Sequence, residues 1–208
     1  MSAVSPPTIP IERLPGHPQF VHLSALDSAL DIDLRYPTAN NFAGRVLYTH
    51  WDCAWLRAEA ANGLVQAAQQ LQRLSPGWRL RVLDALRPHR VQQAIWEDVK
   101  GTPMQMYFAD PAHGSIHSFG MAVDVTLLRP DGLEVDMGSG FDEMSERSHP
   151  ALHDDHLSCG VLQAEHVQIR GLLTQAMAAG GFGGISTEWW HFDLGDRRLV
   201  RQTGPRVD

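Results

Sequence analysis

The sequence predicts a single α+β domain with a small, mainly antiparallel sheet flanked by helices. Three observations support this prediction. Segments with helical periodicity come early in the chain, short alternating segments with a hairpin signal come mostly later, and no repeat or linker divides the two groups. This order favours an α+β arrangement over the regular alternation of α/β folds. A length of 208 residues suits one domain with a sizeable core.

The first third of the chain is predicted to lead into the domain and to form its first helix. Residues 1–16 are proline-rich and are expected to form an irregular arm, which leaves residues 17–208 as the domain. The loose alternation of apolar residues over 20–34 predicts a strand that ends near residues 33–36. Residues 52–74 predict a helix because their apolar residues share one stripe, namely Leu64, Ala68, Leu71 and Leu74.

The remainder of the chain mixes predicted strands, helices and irregular segments. Residues 78–84 alternate as a strand, and Pro88 then opens a helix that Gly101 ends. Residues 121–128 predict a strand that forms a hairpin with residues 133–135 across a Pro-Asp-Gly turn. The other predicted segments are a loop at 102–114, an irregular polar region at 137–160, a helix at 161–179 and a strand at 188–192.

Charge and hydropathy argue against two classes of partner. The formal net charge of −7 and the absence of a basic stripe argue against nucleic acid. No apolar run approaches the ~18–20 residues of a membrane span. The first residues lack the basic and apolar regions of a secretory signal, so a cytoplasmic location is expected.

The two cysteines, Cys53 and Cys159, lie far apart and outside any C-x-x-C pattern, which favours idle thiols over a disulfide or a metal site.

A ten-residue segment with the pattern S-x-H-x-x-G-x-A-x-D holds the main candidate for chemistry. Gly120 permits a tight turn that folds His117 back towards the following strand, on which Asp124 lies. A distal segment that runs from Glu188 to His191 adds an acid and a second imidazole. Two histidines and one aspartate can hold a zinc ion tetrahedrally and leave its fourth position for water.

The types of ligand indicate the metal. Imidazole nitrogens with one carboxylate favour a single zinc ion over magnesium or calcium, which prefer oxygen ligands. Glu188 is the candidate proton carrier. On an ideal strand Glu188 and His191 would point to opposite faces, which predicts either a bulge or a strand that begins after Glu188. Because the chain has 11 histidines, the alternative is an unrelated set of surface or satisfied core residues.

Three further features are weaker on their own. Arg87 lies at a strand-to-helix junction, where it could stabilise an oxyanion with Asp84 orienting it, although a surface salt bridge is the simpler interpretation. The tract 136–148 has the composition of a functional loop or of a solvated acidic turn. The histidines outside the main motif are expected at the surface, with His149 and His156 as the exceptions that support the site.

The chain resembles the zinc D-alanyl-D-alanine dipeptidases of the VanX type, within a wider group that includes D-Ala-D-Ala carboxypeptidases. The matching blocks follow the order of the family through most of residues 20–193, and they are 41–44, 84–88, 115–124, 137–149 and 188–191. The long match at 137–149 separates the dipeptidases from the carboxypeptidases. Phe119 stands where the family often has arginine, which is expected to alter the rim of the site or its substrate preference. The loop at 102–114 is shorter than in some relatives, which is expected to open the cleft.

The resemblance implies a catalytic role for each residue of the main motifs. A zinc ion would lie in a central cleft of the α+β domain, with His117, Asp124 and His191 as its ligands. Glu188 would act as general base and then as general acid. Arg87 would stabilise the charge that develops in the transition state.

The resemblance also implies a substrate, the dipeptide D-Ala-D-Ala, which would be hydrolysed to two D-alanines. Ser115 would meet the carboxylate of the dipeptide and Asp142 its ammonium group, while Asp84 and Trp190 would support the neighbouring side chains. Three alternatives remain open at this point. They are a zinc D,D-carboxypeptidase, a cell-wall peptidase that acts on longer stem peptides, and a non-enzymatic zinc-binding module, against which the presence of both Glu188 and Arg87 argues.

Overall fold

A five-stranded sheet forms the centre of the computed structural model, which describes residues 6–26 and 30–208. In chain order the strands are β1 (Thr8–Ile9), β2 (Phe20–His22), β3 (Leu30–Ile32), β4 (Trp55–Arg57), β5 (Arg79–Asp84), β6 (Ala122–Leu128), β7 (Phe182–Gly184), β8 (His191–Leu194) and β9 (Arg206–Val207). The α-helices are α1 (Ala58–Leu74), α2 (His89–Val99), α3 (His153–Ser158), α4 (Ala164–Ala179) and α5 (Arg197–Thr203). Within the described residues, none of these helices has the length and apolar character needed to cross a membrane.

The central sheet has the strand order β3-β5-β6-β8-β7. β3 runs parallel to β5, and the other neighbouring strands are antiparallel. The predicted α+β class with a mainly antiparallel sheet is therefore confirmed. Its middle strand, β6, is buried along its whole length and pairs with β5 over residues 124–128 and with β8 over residues 122–124.

One face of the sheet packs against α1 and α4. The small and aliphatic residues of α1 form one core cluster with Val123, Val125 and Leu127 of β6. Gly63 of α1 lies so close to the end of α4 that a Cβ at this position would lie 2.5 Å from the carbonyl oxygen of Gly180. Because side chains alternate along a strand, Asp124 faces away from this helical layer. The candidate site is therefore on the opposite face of β6.

Two predicted elements begin later than the sequence indicates. The helix predicted from residue 52 begins at Ala58, because residues 55–57 form β4 and pair with β2. The helix predicted from residue 161 begins at Ala164. The strand predicted over 20–34 is divided into β2 and β3, and residues 27–29 of that prediction lie outside the described residues.

The N-terminal arm and the predicted hairpin also differ from expectation. Within the described part of the arm, β1 pairs in parallel with β9, and a 3₁₀ turn follows at Ile11–Arg13, so this segment is not irregular. Leu14 is fully buried, which shows that the arm belongs to the packed structure. The predicted hairpin forms around an antiparallel bridge between Leu128 and Glu134, with backbone hydrogen bonds from Arg129 to Leu133 and from Val135 to Leu127, although residues 133–135 do not form a separate strand. The region 137–160, predicted as irregular, contains α3 and two 3₁₀ turns.

Candidate metal centre

A left-handed turn at Gly120 places His117 over the start of β6. The 3₁₀ helix Ile116–Phe119 ends at Gly120, whose φ of 64° favours glycine. A Cβ there would also lie 3.0 Å from the backbone nitrogen of Arg57. The chain then enters β6, so that His117 Nε2 lies 3.4 Å from Asp124 Oδ1. The structure thus brings together the two residues that the motif was expected to bring together.

Strand pairing adds the third predicted ligand. Asp124 of β6 lies opposite His191 of β8 in the register of the sheet. His191 Nδ1 lies 3.0 Å from Asp124 Oδ1 and 3.1 Å from His117 Nε2. β8 begins only at His191, so Glu188 precedes the strand, which is one of the two arrangements that the sequence predicts.

Hydrogen bonds behind the two imidazoles determine which ring atoms face the centre. His117 Nδ1 donates to the backbone oxygen of Ala85 at 2.8 Å, and His191 Nε2 donates to Asp193 Oδ1 at 2.9 Å. The other nitrogen of each neutral ring is therefore an acceptor. Together with the carboxylate of Asp124, these nitrogens form a group of three converging acceptor atoms. Such a group is stabilised by a cation between its members.

The spacing of the three acceptor atoms fits a tetrahedral metal ion. With metal–ligand bonds of ~2.0–2.2 Å, neighbouring ligand atoms of a tetrahedral zinc site lie about 3.3–3.6 Å apart. The observed separations of 3.0, 3.1 and 3.4 Å are close to this range. Among the described residues, His117, Asp124 and His191 form the one cluster of this type. The donor set of two imidazoles and one carboxylate also fits zinc better than magnesium or calcium.

The electrostatics of the centre favour a cation as well. Burial opposes a charge on His191, but Asp193 and Asp124 outweigh burial and raise the pKa of His191 well above its ordinary value. Burial also opposes ionisation of Asp124, yet His117 and His191 lower its pKa far below the usual range. The centre therefore attracts a proton that a bound metal ion would displace.

Comparison with known proteins places the chain in a family. A family model described as D-Ala-D-Ala dipeptidase matches residues 17–207. The chain belongs to this peptidase family. A D-alanyl-D-alanine dipeptidase of Escherichia coli (strain K12) is 39% identical over 176 residues, which cover 85% of this chain and 84% of that protein. A protein of the same name from Enterococcus faecium is 30% identical over 205 residues, covering 85% of this chain and 92% of that protein.

In this D-Ala-D-Ala dipeptidase family member, Glu188 lies beside the three acceptor atoms. Its Oε2 is 4.0 Å from His191 Nδ1, and its side chain is buried. Burial raises the pKa of Glu188 to about 7, with His191 opposing the shift and Asp124 adding to it. A carboxyl group with a pKa near neutrality is suited both to accept and to return a proton.

Arg87 is held rigidly at the back of the cleft. Its Nε and Nη2 donate to Asp84 Oδ2 at 3.0 and 2.7 Å, so Asp84 contacts Arg87 as the sequence predicts. Nη1 donates to Gln92 Oε1 at 3.0 Å, and Nη2 also donates to the Tyr36 hydroxyl at 3.2 Å. These contacts use four of the five guanidinium hydrogens and leave one on Nη1. Because Arg87 is buried and lines the cleft, the alternative of a surface salt bridge is wrong.

A cleft of about 310 Å³ opens onto the centre and contains both residues predicted to contact substrate. Ser115 and Asp142 line this cleft, and both are buried. Asp142 has a φ of 58°, which is rare for a residue other than glycine, and its carboxylate accepts the backbone N–H of Phe42 at 3.1 Å. Burial and the neighbouring Asp124 raise the pKa of Asp142 well above its usual value. A cationic partner would therefore stabilise its charged form.

A buried arginine supports the loop that carries Asp142. Arg170 of α4 donates to the backbone oxygen of Met137 at 2.8 Å and to Ser139 Oγ at 3.0 Å. It also donates to the backbone oxygen of Arg147 at 3.1 Å. The tract 136–148 is therefore anchored to α4 and contributes Asp142 and Met144 to the cleft, while its acidic residues Asp136 and Glu146 are exposed.

The other predicted supporting residues fall partly where the sequence places them. Trp190 is buried, lines the cleft and packs edge-on against Phe141 with ring centroids 5.6 Å apart. His149 is buried, and its Nε2 lies 2.9 Å from the hydroxyl of Tyr107, which lines the cleft. His156 is also buried but is not part of the described cleft wall.

Two expectations about single residues are wrong. Phe119 is buried behind the turn and lies outside the described wall of the cleft, so its side chain does not form the rim. Its ring fills the space beside Gly114 and Gly204, where a Cβ would lie within 3.4 Å of it. His89, expected at the surface, is buried at the start of α2, near the charged groups of Arg206 and Asp208.

Three polar groups that hold the predicted site residues in place were missed by sequence reasoning. Asp193 orients His191, and a signal for it exists, because residues two apart on a strand share one face. Tyr36 and Gln92 hold Arg87, but they come from separate segments whose convergence depends on tertiary packing. The carboxylate of Asp193 is in turn paired with Arg197 of α5.

Proposed function

We propose that this protein hydrolyses D-Ala-D-Ala to two D-alanines with one zinc ion held by His117, Asp124 and His191. The observation that carries the proposal is the convergence of three acceptor atoms beside a buried carboxyl group, that of Glu188, in one cleft. The family and the relatives named D-alanyl-D-alanine dipeptidase support the same substrate. When bound, zinc would polarise the scissile carbonyl and lower the pKa of a water molecule.

The residues of the chain account for the movement of the proton and of the charge. Glu188 accepts a proton from the attacking water and returns it to the leaving amine. A pKa of about 7 without metal suits both steps, and a nearby cation favours the ionised form that starts the reaction. The free Nη1 hydrogen of Arg87 is available to the carbonyl oxygen as it gains negative charge. Because Asp84, Gln92 and Tyr36 fix the guanidinium, this donor needs no reorientation.

Asp142 accounts for a preference for a free dipeptide. A substrate ammonium group would compensate the buried carboxylate, whose ionised form is otherwise unfavourable. An acylated or extended N terminus would leave that carboxylate without a charged partner, and such mismatches are heavily penalised. The proposal therefore favours a dipeptidase over a carboxypeptidase that acts on stem peptides.

The decisive experiment is a comparison of three substrates. Zinc-loaded protein is expected to release D-alanine from D-Ala-D-Ala but not from its N-acetyl form or from a stem pentapeptide, and a chelator is expected to abolish the release. Release is measured by a coupled D-amino-acid oxidase assay. Preference for the blocked or long substrates would indicate a carboxypeptidase. Zinc binding without turnover of any of the three would contradict the proposal and favour a binding module.

Asp142→Asn is expected to raise the KM for D-Ala-D-Ala by about 10- to 100-fold, which is the usual effect of losing a hydrogen bond to a charged group. Asparagine tolerates the left-handed conformation of this position, so zinc content should be unchanged. Since burial raises the pKa of Asp142, the wild-type KM should also rise as the pH falls through that pKa, and the variant should lose this dependence.

Steady-state kinetics at several pH values, together with metal analysis, would check this expectation. Asp154→Asn, which removes an exposed carboxylate from α3, serves as the matched control and should change neither quantity. A parallel loss of zinc and of turnover in Asp142→Asn would contradict a role in substrate binding.

A further inference from the structure

The short helix α5 brings two arginines to the cleft. Arg197 and Arg201 lie one helical turn apart, and both line the cleft together with Ser115. Arg197 is already engaged, because its Nε donates to the carboxylate of Asp193. Arg198, on the same helix, is exposed and lies outside the described wall of the cleft. These contacts leave Arg201 as the arginine of α5 that is available to a ligand.

Arg201 is fixed in place but not neutralised. Its Nε donates to the backbone oxygen of Gly114 at 2.9 Å, and the described residues place no carboxylate within ion-pair distance of its guanidinium. Burial and the neighbouring Arg197 lower the pKa of Arg201, and Asp193 compensates only in part. Since arginine keeps its charge near neutral pH, the cleft contains a partly buried cation without a counter-ion.

The tether to Gly114 places Arg201 next to Ser115. Gly114 directly precedes Ser115, whose side chain makes no capping hydrogen bond to the 3₁₀ helix that follows it. A guanidinium held at Nε presents its two terminal nitrogens as a fork, the geometry that matches a carboxylate. The cleft thus combines a fixed cationic donor and a hydroxyl with a separate acidic residue, Asp142.

We propose that Arg201 binds the C-terminal carboxylate of the substrate, with Ser115 as its neighbouring hydrogen-bond donor. This inference rests on the proposed function and names the residue that selects for a free C terminus. Asp142 and Arg201 together make the cleft complementary to a zwitterion. A C-terminal amide would leave Arg201 without its counter-ion and is therefore a poor substrate.

The test compares D-Ala-D-Ala with D-Ala-D-alaninamide on zinc-loaded wild type, Arg201→Gln, Arg201→Lys and Arg198→Gln. Arg201→Gln is expected to raise the KM for the dipeptide by about 10- to 100-fold with a much smaller change in kcat. Its turnover of the amide should stay within a factor of about 2, so the preference for acid over amide collapses. Arg201→Lys should restore part of the preference, because it keeps the charge without the fork. Arg198→Gln, the matched control, should behave as wild type.

Other outcomes overturn the inference. An equal loss on acid and amide, or a loss of zinc in Arg201→Gln, would show that Arg201 only supports the turn at Gly114. If wild type does not turn over D-Ala-D-Ala, the proposed function fails. Calorimetry of D-Ala-D-Ala and D-Ala-D-alaninamide binding to the zinc-loaded proteins then tests the role of Arg201 separately. Tighter binding of D-Ala-D-Ala that is lost in Arg201→Gln would support this role, and equal or absent binding of both compounds by wild type would overturn it.

Discussion

Glu188→Gln is expected to keep the metal ion and to lower kcat for D-Ala-D-Ala by about 10²- to 10⁴-fold, the usual contribution of a general base. Glutamine has nearly the same shape but cannot accept a proton from water. The side chain is buried and lies 4.0 Å from His191 Nδ1, beyond hydrogen-bonding distance from this ligand atom. Loss of the carboxylate should therefore affect the proton transfer rather than the ligand set.

Stability gives a second readout for Glu188→Gln. Burial raises the pKa of Glu188 to about 7, so its ionised form is less favourable in the folded metal-free protein than in the unfolded chain. This unfavourable contribution grows as the pH rises above the unfolded-state pKa of about 4.3 and levels off above pH 7. Without metal, the variant should be at least as stable as wild type at pH 8. Thermal unfolding of both proteins in chelator measures this difference.

Metal analysis and kinetics separate the roles that Glu188 could have. Glu165→Gln, which removes an exposed carboxylate of α4, is the matched control and should retain full activity. A Glu188→Gln protein that binds no metal would show that Glu188 is a ligand. Full kcat with bound metal would show that another group carries the proton.

The candidate metal centre could be predicted from the sequence because its main constraints are local. A turn at Gly120 between His117 and a strand brings the histidine close to Asp124, and strand alternation makes Asp124 face one side. The pairing of β6 with β8 is not local, but a second acid-and-histidine segment near the C-terminal end indicated what the partner strand would carry. Motif spacing and ligand chemistry were therefore sufficient to predict that the side chains of His117, Asp124 and His191 converge.

The walls of the cleft could not be predicted in the same way. Tyr36 and Arg201 reach the cleft from positions far apart in the chain, and no local pattern links either of them to the motifs. β4 was predicted as part of a helix because the residues that follow it have helical periodicity. Its pairing with β2, which makes it a strand, is a tertiary contact that no local pattern shows. The regular structure of the N-terminal arm likewise depends on the pairing of β1 with β9 at the other end of the chain.

Arg87→Lys is expected to lower kcat/KM for D-Ala-D-Ala by about 10²- to 10³-fold, the usual cost of losing a donor to a developing oxyanion. Lysine keeps the positive charge that the buried Asp84 needs, so the variant should fold. The guanidinium of Arg87 binds Asp84, Gln92 and the Tyr36 hydroxyl and still has one hydrogen left for the substrate. A lysine ammonium group cannot make all of these contacts at once. Arg87→Ala is a poorer probe, because removing one partner of a buried ion pair costs about 3–5 kcal/mol.

The pattern of kinetic change distinguishes stabilisation of charge from support of the fold. If Arg87 acts on the transition state, Arg87→Lys should lower kcat while the KM and the zinc content change little. Arg81→Lys, on the same strand β5 and within the half-exposed ion pairs of Asp31 and Asp33, is the matched control and should stay near wild type. A rise in KM alone would instead assign Arg87 to ground-state binding. The transition-state role depends on the single free hydrogen on Nη1 of Arg87. A rise in KM alone would therefore mean that the substrate carbonyl oxygen does not reach this hydrogen.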